Sequence, residues 1–142
     1  MDITKIPFNK FIKISNSNNE ENSLTLLFEN NLKNHLGTFH AGAQFVLAEA
    51  CSGHTLQLLF SDLSDKVVPV LRKSATKFKK TARSDIRAKA MVAETAKFKF
   101  EQQLQKKGRA TISVEVDVYD IDNIVTMSGT FEWFIQYIDI DI

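Results

Sequence analysis

The stretch from Ala41 to Phe60, AGAQFVLAEACSGHTLQLLF, constrains the fold more than any other part of the chain. It predicts a helix of about five turns. Its apolar residues are not confined to one stripe: Phe45, Val46, Leu47, Ala48, Leu56, Leu58 and Leu59 go all round. A helix that is apolar on every side must be enclosed by other structure. Gln44, Glu49, Ser52, His54 and Gln57 make the segment too polar for a membrane span, so protein must do the enclosing.

The remaining chain supplies strands for that purpose. NKFIKI (9–14) and SLTLLFE (23–29) read as strands flanking a polar turn, SNSNNEEN (15–22). Val67 to Thr81 reads as extended, with Pro69 near its start. Asp85 to Ala93 alternates, with Ile86, Ala88, Ala90 and Val92 on one side. Glu94 to Lys107 is expected to be a strand end followed by a short helical turn, closed by Gly108. Thr111 to Asp120 alternates cleanly through Ile112, Val114, Val116 and Val118. Val125 to Tyr137 does so through Met127, Phe131, Trp133 and Ile135. Short connections favour antiparallel pairing. The expected fold class is therefore α+β, a curled antiparallel sheet wrapped around one long central helix, as a single domain over 1–142.

Against this frame Glu49 stands out. A carboxylate on an enclosed helix is costly unless it is paired, hydrated or used. It is either bonded to a neighbouring element, or a general base or nucleophile whose pKa is raised by desolvation. Gly42 lies in the first helical turn, where N–H groups lack intrahelical acceptors and can polarise a carbonyl oxygen. Asn34, in the preceding loop, suits either turn chemistry or the orientation of a water or substrate carbonyl. His40 suits a helix cap or a loop tie more than catalysis. His35, His40 and His54 are not spaced as a helical ligand pair, and no metal or other cofactor is expected. Cys51, the only cysteine, excludes an intrachain disulfide and reads as a small buried residue.

The formal net charge of +1 conceals an asymmetry. Between Arg72 and Lys89 there are eight bases (Arg72, Lys73, Lys77, Lys79, Lys80, Arg83, Arg87, Lys89) and one acid, Asp85. That segment carries +7 and the rest of the chain −6. Such a strip is either a solvated sheet edge guarded by lysines or a receiver for a polyanionic ligand. Only Phe78 interleaves it with an aromatic ring, which argues against nucleic acid. Without a secretory pattern at the N-terminus, and with one cysteine in 142 residues, a cytoplasmic location is expected.

Taken together, Asn34, His40, Ala41, Gly42 and Glu49 resemble the signature of the hotdog-fold thioesterases, in particular the phenylacetate-pathway type and the related DUF4442 family. That signature has Asn, His-Gly-Gly six residues later, and an acid nine residues after the His. KFKKTARSDIRAKA and GRATISVEVDVYDIDNIVTMSGTFEWFI resemble later strands of the same family, so the likeness spans roughly residues 24 to 136. The chain has Ala41 where the first Gly is usual, Thr81 where a Pro is usual, and Glu49 where many members have Asp.

The resemblance implies a homodimer or homotetramer that hydrolyses acyl-CoA. The Gly42 N–H would polarise the carbonyl, Glu49 of the partner would activate water or attack directly, and Asn34 would position the water or carbonyl. Arg72, Lys73, Lys77, Lys79, Lys80 and Arg83 would receive the CoA phosphates. Two further classes stay open. A hotdog dehydratase or hydratase would use a His, here His35, with Glu49, although the chain has only Pro7 and Pro69 for the proline-rich loop of that class. A non-catalytic acyl-CoA binding module would bind without releasing thiol.

Overall fold

The computed structural model describes residues 1–17 and 20–138. In chain order its elements are α1 (Pro7–Phe11), β1 (Ser15–Asn16), β2 (Ser23–Leu26), α2 (Ala41–Leu59), β3 (Val67–Phe78), β4 (Ile86–Met91), α3 (Glu94–Lys107), β5 (Arg109–Tyr119) and β6 (Val125–Tyr137). The six strands form one sheet in the order β1-β2-β4-β5-β6-β3, with every neighbouring pair antiparallel.

Alternation decides which face of the sheet turns inward. In β5, Ala110, Ile112, Val114, Val116 and Val118 are buried, while Glu115 is exposed and Asp117 half-exposed on the other face. In β6, Met127, Phe131, Trp133 and Ile135 match them, with Val114 opposite Phe131 and Ile112 opposite Trp133. This inner face packs on α2, which buries Leu47, Ala48, Ala50, Cys51 and Leu56. Each such large apolar side chain contributes about 1.5–3 kcal/mol on leaving water. Two buried polar ties fix the helix to β6. Thr126 Oγ1 donates to Gln44 Oε1 at 2.7 Å, and Trp133 Nε1 donates to Ser52 Oγ at 2.8 Å. An unsatisfied group at either place would cost about 1–3 kcal/mol, so these contacts also fix helix register.

The structure differs from the sequence reading in four places. Residues 9–14 are not a strand: Pro7 starts a short helix, where its missing N–H costs nothing. The buried Asn9 anchors that helix by donating through Nδ2 to Ile3 O at 3.1 Å. Ser15–Asn16, read as part of a turn, pairs with β2, and residues 18 and 19 of the same stretch lie outside the described residues. Glu94–Lys107 is a full helix rather than a strand end with a turn. Phe100 and Leu104, four residues apart, bury one face, and Phe100 stacks on Phe60 with ring centroids 4.8 Å apart. Gly108 closes this helix at φ 74°, with its N–H on Leu104 O at 2.8 Å. Finally, α2 is not enclosed on every side. Ala41, Gly42, Leu58 and Leu59 are exposed, and Phe45, Val46 and Glu49 are half-buried, because β3 is the sheet edge and does not wrap over them.

The Phe60–Phe100 contact ties α3 to the end of α2. Phe100→Ala is expected to lower unfolding free energy by about 3–5 kcal/mol in urea titration, with little change in the slope.

Candidate active site

α2 begins with a cap that its sequence prescribes. His40 is extended at φ −63°, ψ 136°, and its Nδ1 accepts the Gly42 N–H at 2.8 Å. The ring therefore carries any single proton on Nε2. The His40 carbonyl accepts the N–H groups of Ala43 and Gln44 at 3.0 and 3.2 Å. Of the first four helical donors, the Ala41 N–H has no hydrogen-bond partner among the described residues, and Ala41 is exposed. The first-turn donor left without a partner among the described residues is therefore Ala41, one residue before the Gly42 expected from sequence. The sequence carries no signal for this, because the direction of the His40 ring decides it.

Asn34 builds the loop that leads into the cap. Its Oδ1 accepts from Leu36 N at 2.9 Å and Thr38 N at 3.1 Å, and its Nδ2 donates to Thr38 Oγ1 at 2.9 Å and Phe39 O at 3.3 Å. With both ends engaged inside the loop, Asn34 acts through turn geometry. Phe39 N then donates to Ala82 O at 2.9 Å, and His40 N to Leu32 O at 2.9 Å. The first of these bonds sets the start of α2 beside the segment that follows β3.

Glu49 lies two turns into α2. It is half-buried, and burial raises its carboxyl above the ordinary 4.5. Its carboxylate has neither an ion pair nor a hydrogen bond among the described residues. Its backbone carbonyl accepts Ser52 Oγ at 2.7 Å, and Ser52 in turn receives Trp133 Nε1. The salt-bridged alternative is thus not the one adopted among the described residues. Cys51, on the inner side of the same helix, is inert by comparison: burial pushes its thiol up to about 12.

The six basic residues separate into two sets. Lys73 pairs with Glu132, and Lys77 with Ser128, so both project from the outer face of the sheet. Arg72 sits at a bulge on that face, 5.9 Å from the Phe134 ring centroid. Lys79, Lys80 and Arg83 instead flank Ala82 in the exposed connection bonded to Phe39. Only these three are carried to the α2 N-terminus by that connection. Chemically, the helix offers a carbonyl-polarising N–H, an adjacent cationic loop, and a lone carboxylate with raised proton affinity.

Comparison with known structures bears on the fold. A Pseudomonas aeruginosa protein described as a probable thioesterase superposes with a TM-score of 0.81 at 22% identity, covering 96% of this chain and 91% of that one. A Bacillus halodurans protein solved with CoA gives 0.69 at 20% identity, covering 90% and 74%. A Staphylococcus aureus protein solved with a glutamate replaced by alanine gives 0.71 at 16% identity, covering 92% and 99%. That protein, described as a thioesterase enzyme, has also been solved with a glutamine replaced by alanine, fifteen positions before the glutamate. No curated protein sequence matches. The fold is the hotdog fold, as these superpositions and the curled sheet around α2 show. Residues 4–135 match the family described as Domain of unknown function (DUF4442), and the chain belongs to that family.

Proposed function

We propose that this protein hydrolyses acyl-CoA thioesters at a site shared between two copies of the chain. The observation that carries the reading is the lone, half-buried Glu49 carboxylate on the helix whose N-terminus leaves the Ala41 N–H free. Ala41 and Glu49 are eight residues apart, about 12 Å along the axis at 1.5 Å per residue. Attack requires the reacting atoms within about 3–3.5 Å. One helix does not serve both needs, whereas two antiparallel helices do.

Other features favour a second copy. The edge strand β3 runs for twelve residues without a partner on its outer side among the described residues, and Val68, Val70 and Phe78 on it are exposed. A long bare edge with apolar side chains is a template for strand pairing. The uncovered Phe45, Val46 and Glu49 of α2 call for the same coverage.

In the proposed reaction, Glu49 takes a proton from water as the oxygen attacks the thioester carbon. The Ala41 N–H and the helix dipole hold the developing oxyanion. Collapse expels the CoA thiolate, which recovers the proton, leaving a carboxylic acid. Asn34 holds the loop that aims Ala41, and His40 holds the cap. Asn34 precedes Glu49 by fifteen residues, the separation of the two substituted positions in the Staphylococcus aureus protein. CoA as the thiol is supported by the CoA-bound Bacillus halodurans relative and by Lys79, Lys80 and Arg83 beside the helix start.

Glu49→Gln and Glu49→Ala are expected to slow thiol release from acyl-CoA by about 100- to 10,000-fold. Wild-type turnover in both variants would sink the assignment. Because the folded chain holds the Glu49 proton more tightly than the unfolded chain, the stabilising neutral form is present below the unfolded pKa. It is lost as pH rises through the raised folded value. Glu49→Gln should therefore raise Tm at neutral pH, with the difference vanishing under acid conditions, and wild-type activity should fall on the acid side at a pH above the ordinary carboxylate range. Replacing Lys79, Lys80 and Arg83 by Gln should raise KM for acyl-CoA several-fold at unchanged kcat and leave a pantetheine thioester unaffected. Steady-state kinetics with both substrates checks this, with Lys73→Gln as the neutral control.

A further inference from the structure

Ser52 is fully buried on α2, and its hydroxyl is engaged on both sides. It accepts the Trp133 Nε1 hydrogen at 2.8 Å and donates to the Glu49 carbonyl at 2.7 Å. Chemistry fixes the direction of both bonds. An indole N–H can only donate, so the hydroxyl must accept there, and its single proton is left for the carbonyl. Trp133 is itself buried on the inner face of β6, so the sheet dictates the serine rotamer. The same ring lies against the next residue. A Cβ added at Gly53 would stand 3.3 Å from Trp133 and 3.6 Å from Ile3. The Gly53 N–H is the regular helical partner of the Glu49 carbonyl. Trp133 thus holds both groups that bond this carbonyl, one by a hydrogen bond and one by close packing.

Glu49 lies between two polar ties to one strand. Gln44, five residues before it, bonds Thr126 of β6, and Ser52, three residues after it, bonds Trp133 of β6. Both ties resist rotation of α2 about its axis. Side-chain ends on a helix stand about 5–6 Å from that axis, so a rotation of about 10° carries a carboxylate about 1 Å sideways. A misplacement of that size costs about 100-fold in rate. The Glu49 carboxylate makes no ion pair or hydrogen bond of its own among the described residues, so nothing at its far end corrects such a shift. Burial is also the one cause of its raised proton affinity, with no charged group contributing.

We propose that Ser52, locked by the Trp133 indole, is a positioning residue for the hydrolysis: it sets the rotation of the α2 turn from which the Glu49 carboxylate acts. This role rests on the thioesterase reading for its reaction, whereas the positioning itself can be read without substrate.

The experiment compares the full-length wild type, Ser52→Ala, Trp133→Phe and the double variant. Leu104→Ala, a cavity in α3, is the destabilised control. Thiol release from short, medium, long and aryl acyl-CoAs is measured per folded protein. The Glu49 carboxyl is titrated by NMR of carboxyl-labelled protein, its signal assigned by its loss in Glu49→Gln. Each single variant is expected to lower kcat about 10- to 100-fold, with KM changed by less than about twofold. The double variant should be no slower than the slower single, because both substitutions cut the same chain of bonds. The Glu49 midpoint should fall toward the ordinary 4.5 as the released turn lets the carboxyl reach water. Leu104→Ala should lower Tm and leave kcat, KM and the midpoint unchanged. If Trp133→Phe does not fold, the smaller truncation Ser52→Ala decides alone. A folded variant with wild-type kcat or an unmoved midpoint overturns the proposal, and so do losses that multiply in the double variant. Absence of thiol release by the wild type from every acyl-CoA overturns the hydrolase reading instead, and the Glu49 midpoint in the variants then decides whether Ser52 sets the turn.

Discussion

Burial of the inner side of α2 on the sheet face centred on β4 and β5 is the contact on which the remaining structure depends. Leu47, Ala48 and Cys51 are fully buried, and Val114, Val118 and Phe131 on the sheet have the same burial. Because the sheet ends at β3, the same packing leaves one flank of the helix uncovered. Glu49 falls on the boundary between the two. Burial raises its proton affinity, and full exposure would leave it an ordinary surface acid. Its raised proton affinity therefore follows from where the sheet stops.

The other end of the helix is governed by hydrogen bonding rather than packing. Asn34 organises the loop, His40 caps the first turn, and the bond from Phe39 to Ala82 draws in the loop that carries Lys79, Lys80 and Arg83. The cap satisfies Gly42 and in doing so singles out Ala41. A substitution of the usual Gly by Ala at that place keeps the N–H.

The architecture was legible in the sequence because two periodicities are strong there. The strict alternation of Thr111–Asp120 and the all-round apolar run of Ala41–Phe60 leave few packings open. The turn chemistry of Asn34 and the helix cap at His40 were among the readings the sequence offered, and the hydrogen bonds match both. What was not legible depended on tertiary contacts. Glu94–Lys107 mixes Lys, Gln and Phe without a clean stripe, and only the docking of Phe100 on Phe60 makes its helical face decisive. Likewise the basic residues look continuous along the chain, but the end of β3 at Phe78 divides them between the outer face of the sheet and the connection bonded to Phe39.

The edge strand has one more consequence, for the order in which the chain closes on itself. Val118 and Met127 pair across nine residues, whereas Val67 finds Tyr137 across seventy. The entropy of closing the longer loop exceeds that of the shorter by roughly 2 kcal/mol. The β5–β6 hairpin can form early from local contacts, while β3 is secured by a distant partner on one side only. The strand leading into the basic loop is thus the most weakly tethered long strand of the sheet. A second chain laid along its free edge would hold in place the segment that carries Lys79, Lys80 and Arg83, so strand pairing there would also order that basic loop.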